Sequence, residues 1–281
     1  MSTTVFVAVL GAAILHAGWN ALVKGGADKL VAMGAVVIGH APLALLALFF
    51  VPLPAAECLP FLLGGITLHV GYQIFLMRAY QTGDLTQVYP IARGSAPLIV
   101  ALFSMLVLGV HLERMEVLAI AIIGIGILSL AIVRRSDGQR NPNAAALALT
   151  TGLFIASYSL VDGLGARLSG SAVAYFSWMA LINAVLMALY LVARRPGTLR
   201  RIARQGRLPL LVGGPASYVA YSVVTWAFTQ APIALVTALR ETSIVFALLI
   251  GVVVMKERLD LAKLFSTAAT LSGAMLLRFS R

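Results

Sequence analysis

The sequence predicts an all-α integral membrane protein, with ten transmembrane helices arranged as two inverted five-helix repeats. Three observations predict it. The first is composition: 60% of the 281 residues are hydrophobic and 11% are charged, whereas a soluble domain is about 45–50% apolar and about 25% charged. Too few polar side chains remain to cover a water-facing surface. The second is a succession of apolar stretches, each long enough to span a bilayer. The third is an internal repeat. Composition excludes a soluble enzyme, a disordered chain and a nucleic-acid module. The net charge of +11 alone would suit a polyanion, but nearly all of it lies in short loops between apolar stretches, which suits a membrane surface.

A helix crossing ~30 Å of hydrocarbon needs about 20 residues. Such stretches run Thr3–Val23, Leu30–Val51, Cys58–Gln81, Leu85–Val110 and Met115–Val133, then Asn143–Leu164, Ser171–Ala193, Leu208–Thr229, Ile233–Met255 and Leu261–Phe279. They are apolar on all sides. Outer-membrane strands would alternate apolar and polar residues instead, so the backbone satisfies itself as helix. No Lys or Arg precedes the first apolar run, which therefore reads as a span and not as a cleaved leader. The longest connection, Arg194–Arg207, is expected to be a basic loop. Cys58 is the single cysteine, so no disulfide or zinc site is expected, and no cofactor.

Loop charge predicts orientation. The loops after spans one, three, five, seven and nine hold 15 Lys and Arg residues, and the opposite side holds 4. The side richer in Lys and Arg faces the cytoplasm. Both termini are then outside an inner (cytoplasmic) membrane.

Shifting the sequence by 147 residues aligns the ends of two halves, 1–140 and 141–281. Over residues 82–130, 8 of 49 positions are identical, among them Arg93 with Arg240 and Gly126 with Gly273. Arginine inside a span costs roughly 2.5–3.5 kcal/mol or more, which makes that match informative. Five helices per half is odd, so the second half enters the membrane inverted, a plan shared by many secondary transporters.

The segments Tyr89-Pro90-Ile91-Ala92-Arg93-Gly94-Ser95-Ala96-Pro97, Leu239-Arg240-Glu241-Thr242-Ser243, Lys256-Glu257-Arg258-Leu259 and the opening His16-Ala17-Gly18-Trp19-Asn20 resemble those of the EamA-type transporters of the drug/metabolite transporter superfamily. The resemblance implies a helical bundle with a central cavity between the halves and movement of small metabolites without ATP hydrolysis. One departure is visible: Glu257 has Val110 opposite it, and Glu113 comes three residues later.

Arg93 and Arg240 are the leading candidates for substrate binding. A guanidinium is a planar fork for carboxylate or phosphate. The alternative is a packing arginine neutralised by Glu241, which reads as the only acid well inside a span. Glu241 could pair with an arginine, bind an ammonium or take up a proton. Tyr89 shares the helical face of Arg93. Pro90 and Pro97 each remove a backbone hydrogen bond beside it. Further candidates are Trp19 and Asn20 with His16, His69 with Tyr72 and Gln73, Tyr158 with Asp162, and Tyr221 with Tyr218 and Thr225. Aromatic groups with polar tips suit a cavity wall, and they also mark lipid interfaces. Asp84, Asp162, Lys24 and Arg78 are expected at span ends, solvated or interfacial. Gly11, Gly18, Gly124, Gly126, Gly152, Gly163 and Gly165 are expected to admit close helix approach.

The function expected is secondary transport of a small polar or zwitterionic metabolite bearing a carboxylate or phosphonate. The partners are that substrate, the lipid bilayer and, as a candidate coupling ion, the proton. The alternative is a lipid-carrier flippase. An intramembrane enzyme is disfavoured, because no Gly-x-Ser-x-Gly, His-Glu-x-x-His or paired intramembrane aspartates occur. No phosphate-binding Gly-x-x-x-x-Gly-Lys-Ser/Thr occurs either.

Overall fold

The computed structural model describes residues 1–82, 85–129, 142–254 and 261–279. Among these, every regular element is helical. In chain order they are α1 (Thr3–Gly25), α2 (Lys29–Ile38), α3 (Ala41–Leu48), a 3₁₀ turn (Ala56–Cys58) leading into α4 (Leu59–Thr82), α5 (Leu85–Leu106), α6 (Arg114–Leu128), α7 (Pro142–Leu168), α8 (Ala172–Arg194), α9 (Thr198–Gln205), a π turn (Pro209–Gly213) leading into α10 (Gly214–Gln230), α11 (Ile233–Arg240), α12 (Ser243–Val253) and α13 (Leu261–Phe279). Seven stretches are long and apolar enough to cross a membrane: Thr3–Gly25, Lys29–Leu48, Ala56–Ala79, Pro142–Leu168, Ala172–Arg194, Pro209–Gln230 and Ile233–Val253. Pro90–Leu106 of α5 and Leu264–Phe279 of α13 are further apolar helical stretches among the described residues. Phe49, Phe50, Leu63, Leu106 and Leu261 project outward and exposed, as lipid-facing side chains do and soluble surfaces avoid in quantity.

Local chemistry sets the helix starts. Asp28 caps α2 by accepting from the amides of Leu30 and Val31. Ser171 caps α8 through the amide of Ala174. Glu113 and Glu116 form a reciprocal capping box at α6. The helix α5 runs unbroken through Pro90 and Pro97.

Three departures from the expected spans have physical causes. The second stretch breaks at Gly39 and His40. There the backbone of Gly39 lies so close to α10 that a β-carbon would overlap the Leu210 carbonyl and stand 3.0 Å from Gly214 Cα. Pro42, which has no amide, opens α3. The ninth stretch breaks between α11 and α12. The segment Arg194–Arg207 is not simply a loop but carries α9. Thr198 and Ile202, four residues apart, are buried, and Ile202 packs with Val31, Ala35 and Leu191, while Arg200 and Arg204 stay exposed.

The chain divides into two compact units. One comprises Met1–Leu10, Gly71–Leu160 and Ala231–Arg281. In it α6 lies along both α5 and α13, and α11 packs against α5. The α6–α13 seam is reciprocal. A β-carbon at Gly126 would stand 2.5 Å from Ala269 Cβ and 3.7 Å from Ser266 O, and one at Gly273 would stand 2.5 Å from Ile123 and 2.9 Å from Ala119 O. Gly124 likewise meets Leu98 of α5, and Gly152 meets Ser95. Gly11 and Gly18, expected to serve in the same way, have nothing within 4 Å; α1 makes no close approach at either.

The other unit comprises Gly11–Val70 and Val161–Gln230. Here α8 is central, packed by α2, α3 and α10. Its core gathers Cys58, Ile66, Tyr175, Phe176 and Met179. In the same unit Gly165 lies against the Tyr175 ring.

Candidate functional site

The first unit buries three charged side chains together. Arg93 lies on the buried face of α5 with Ala92, Ala96 and Val100. Arg240 ends α11, only 2% exposed, and Glu241 follows it with no exposure at all. Nε of Arg93 lies 2.7 Å from Oε2 of Glu241. NH2 of Arg240 lies 3.6 Å from Oε1 of the same carboxylate. Arg93 also donates from NH2 to Ser243 Oγ at 3.2 Å.

Neither oxygen of Glu241 accepts an aligned hydrogen bond among the described residues. The 2.7 Å approach is therefore charge facing charge, with the N–H directed aside. The 3.6 Å separation is too long for a hydrogen bond, and Nε and NH2 of Arg240 have no hydrogen-bond partner among the described residues. Buried polar groups are ordinarily satisfied, so each exception calls for a reason, such as strain, a functional role or a bound water or ion.

The backbone is irregular at the same place. The amides of Glu241 and Thr242 donate three residues back, to Ala238 O at 3.1 Å and Leu239 O at 3.0 Å. Those of Ile244 and Val245 do the same, to Glu241 O at 3.0 Å and Thr242 O at 2.9 Å. The Thr242 hydroxyl closes on Leu239 O at 2.7 Å. A tight turn of this kind between α11 and α12 interrupts what the sequence presents as one span. Interrupted helices are tolerated at membrane depth only where protein or a wet cavity surrounds them.

The other expected residues are distributed between the units. In the first unit Tyr158 is buried and meets Tyr72 edge to face at 5.5 Å. The Tyr89 side chain lies outside the described residues, as do Asp84, Glu257 and the basic residues at 134, 135, 140, 256 and 258. In the second unit Trp19 Nε1 donates to His16 Nδ1 at 3.2 Å, and Asn20 Nδ2 donates to the His16 carbonyl at 2.7 Å. Both contacts are local to α1. Lys24 and Arg78 are exposed, as expected of span ends.

Asp162 departs from expectation. The sequence places it at a span end, solvated or interfacial, yet it is fully buried. Its Oδ2 lies 2.8 Å from His69 Nε2 and accepts from the Tyr221 hydroxyl at 2.6 Å. Tyr175 OH approaches Oδ1 at a long 3.5 Å. Glu241 is thus not the only acid well inside the helices. The misplacement arose because α7 runs on to Leu168, beyond the last apolar residue of the expected span. His69 and Tyr221, expected in separate groups on different helices, meet around a carboxylate that local spacing assigned elsewhere. Ser243 is a second residue missed. Its sequence signal was its place in the segment Leu239-Arg240-Glu241-Thr242-Ser243, three residues after Arg240 and so on the same helical face.

Residues 143–279 match the EamA-like transporter family. That family belongs to the drug/metabolite transporter superfamily, and with the apolar helices the match indicates a multi-pass membrane protein. The EamA-matched stretch holds Asp162, Tyr158, Tyr221, Arg240 and Glu241, while Arg93 lies before it. Among solved structures, one described only as "Crystal structure of protein" is 18% identical, covers 98% of this chain and 96% of its own, and superposes with a TM-score of 0.75. At that identity the likeness is one of fold. No curated protein matches the chain.

Proposed function

We propose that this EamA-like chain is a secondary transporter. It carries a small polar or zwitterionic metabolite, bearing a carboxylate or phosphonate, across the cytoplasmic membrane by alternating access. The observation that carries the reading is the buried group Arg93, Glu241 and Arg240. Two guanidiniums face one carboxylate there, and the Arg240 fork has hydrogen-bonding capacity left over. A low-dielectric wall strengthens the attraction of such a site for an anionic group. An amine on the same substrate would find its counter-charge in Glu241.

Ten spans in two inverted five-helix repeats, 1–140 and 141–281, remain part of the proposal. The α6–α13 seam supports it. Gly126 faces Ser266 O while Gly273 faces Ala119 O, and each partner is the other's counterpart under the same 147-residue shift. A pseudo-two-fold contact of this type is what a duplicated, inverted unit would make. Tyr89, Trp19, Asn20, His69, Tyr158 and Tyr221 are proposed as further substrate-facing groups. Both termini are proposed to lie outside.

The test is a thermal-shift screen of the purified protein with amino acids, phosphonates, amines and nucleosides, followed by uptake into proteoliposomes. A bound ligand raises apparent stability by mass action. An amino acid or phosphonate that shifts wild type but not Arg93→Met or Arg240→Met supports the clamp. A ligand that shifts all three equally overturns it. Lipid scrambling without uptake of any water-soluble compound would favour a flippase.

A further inference from the structure

We infer that Asp162 and His69, with Tyr221, form a proton-binding site in the second unit, separate from the arginine-flanked carboxylate of the first. This goes beyond the transport reading and does not depend on the arginine clamp.

The argument begins with cost. A lone carboxylate removed from water is expensive unless it is paired, protonated or hydrogen-bonded. Asp162 is wholly buried. Gly65 of α4 makes room for it, since a β-carbon there would stand 2.5 Å from Asp162 Oδ1. Intramembrane acids joined to histidine are the usual material of proton relays.

The contacts identify the ligand. One oxygen, Oδ2, takes both short contacts, 2.8 Å from the imidazole and 2.6 Å from the phenol. Among the described residues, the groups that contact the carboxylate carry exchangeable protons, and none is Lys or Arg. His69 comes from α4, Tyr175 from α8 and Tyr221 from α10. Farther out stand Tyr218, bonded to Ser177 Oγ at 2.6 Å, and His40, whose ring lies 6.4 Å from that of Tyr218. Cys58 belongs to the same core as Tyr175. Arg167, on α7 itself, points its Nε at the Phe228 carbonyl at 2.8 Å.

Glu241 makes the contrast. It faces two guanidiniums, so protonating it would leave two buried cations facing each other. Protonating the Asp162–His69 pair does the opposite. One proton from water binds to the imidazole nitrogen or the carboxylate oxygen, no other bond changes, and the pair goes from one negative charge to none.

Access runs through the partners. Asp162 has no exposure, but the His69 side chain is 14% exposed and Tyr221 is partly exposed. Each touches Oδ2 directly. A proton can therefore enter on His69 and reach the carboxylate without water meeting Asp162. Tyr221 is held for this by its edge-to-face contact with His69 at 5.5 Å and by Phe176 at 4.9 Å.

The test is infrared difference spectroscopy of the purified protein in nanodiscs between about pH 5 and about pH 8, the window in which histidine-linked sites exchange protons. Wild type should show an imidazole signal coupled to a carboxyl signal. Asp162→Asn should abolish the carboxyl signal and alter the imidazole one. His69→Gln should abolish the imidazole signal. Tyr221→Phe, which keeps the ring packing, should shift the carboxyl band through loss of one hydrogen bond. A difference spectrum in Asp162→Asn and in Tyr221→Phe identical to wild type overturns the site. Asp162→Asn should keep the ligand shift of the arginine site, so failure here and failure of the clamp are told apart.

Discussion

The carboxylate of Glu241 and the guanidinium of Arg93 meet at 2.7 Å in the interior of one compact unit. They come from the two stretches of sequence that align under the internal repeat. Arg240, the repeat counterpart of Arg93, stands beside the same carboxylate at 3.6 Å. Removing one partner from a buried ion pair costs about 3–5 kcal/mol, because the remaining charge loses its compensation.

That asymmetry gives the first prediction. Glu241→Gln strands two buried cations, whereas Arg93→Met leaves Glu241 with Arg240. Glu241→Gln should therefore lower the thermal midpoint in detergent more than Arg93→Met does. The double variant should be less destabilised than the sum of the two singles. Strict additivity in the double-mutant cycle would show that the two side chains do not interact.

Geometry of the fork gives the second. Arg240→Lys keeps the charge and loses the planar donors. With a ligand from the thermal-shift screen, affinity should fall by roughly 1–3 kcal/mol, the cost of a charge-assisted hydrogen bond. Arg240→Met should weaken binding further. Calorimetric titration measures both, and equal affinities for Arg, Lys and Met at 240 sink the proposed role.

The third concerns acid stability at the start of α2. Asp28 lies outside the spans. Its partial burial pushes the carboxyl up, but the amide of Val31, Arg201 at 2.7 Å and the amide of Leu30 together bring it below its ordinary value. A depressed carboxyl contributes stability above its unfolded-state value and loses it as pH falls through the folded-state value. Arg201 is 49% and Asp28 32% exposed, so solvent screening holds the ion-pair share to under about 1 kcal/mol; the capping share is of similar size. Asp28→Ala should lower the melting temperature at neutral pH and flatten its decline below about pH 4. An unchanged acid profile would refute the assignment.

Helix contact gives the fourth. Gly126→Val drives a side chain into Ala269 at the α6–α13 seam and should destabilise by about 1–3 kcal/mol. Gly18→Val, where nothing lies within 4 Å, should be nearly neutral by comparison. Thermal unfolding of the two variants side by side checks this.

Orientation gives the fifth. In a Cys58→Ala background, a cysteine at exposed Arg204 should react with a membrane-impermeant thiol reagent only after the cytoplasmic face is opened. One at exposed Arg114 should react from outside. The reverse pattern would show that loop charge misled.

What the sequence disclosed and what it concealed divide along one physical line. The apolar stretches depend on local composition, so α1, α8 and α13 lie within a residue or two of where that composition puts them. The match of Arg93 with Arg240 was legible because arginine is rare in such stretches. The breaks were not legible. Gly39 yields to the backbone of Gly214, and nothing near Gly39 in sequence announces that neighbour. Asp162 was misread for the same reason. Its partners, His69, Tyr175 and Tyr221, lie on three other helices, and no spacing within α7 points to them. In α9, eight residues dense in arginine masked the two buried positions, Thr198 and Ile202, that fasten it.

The turn between α11 and α12 has an electrical consequence. Peptide dipoles sum along a helix to about half a negative charge at its C-terminus and half a positive charge at its N-terminus. The break sets such a pair of poles back to back at residues 240–243. Arg240 ends α11 at the negative pole, and Glu241 immediately precedes the positive pole of α12. Along the chain each charge thus stands at the helix end whose backbone pole is of opposite sign, an arrangement that an unbroken helix would not present. Straightening that turn would withdraw both poles at once and leave the side chains to balance one another alone.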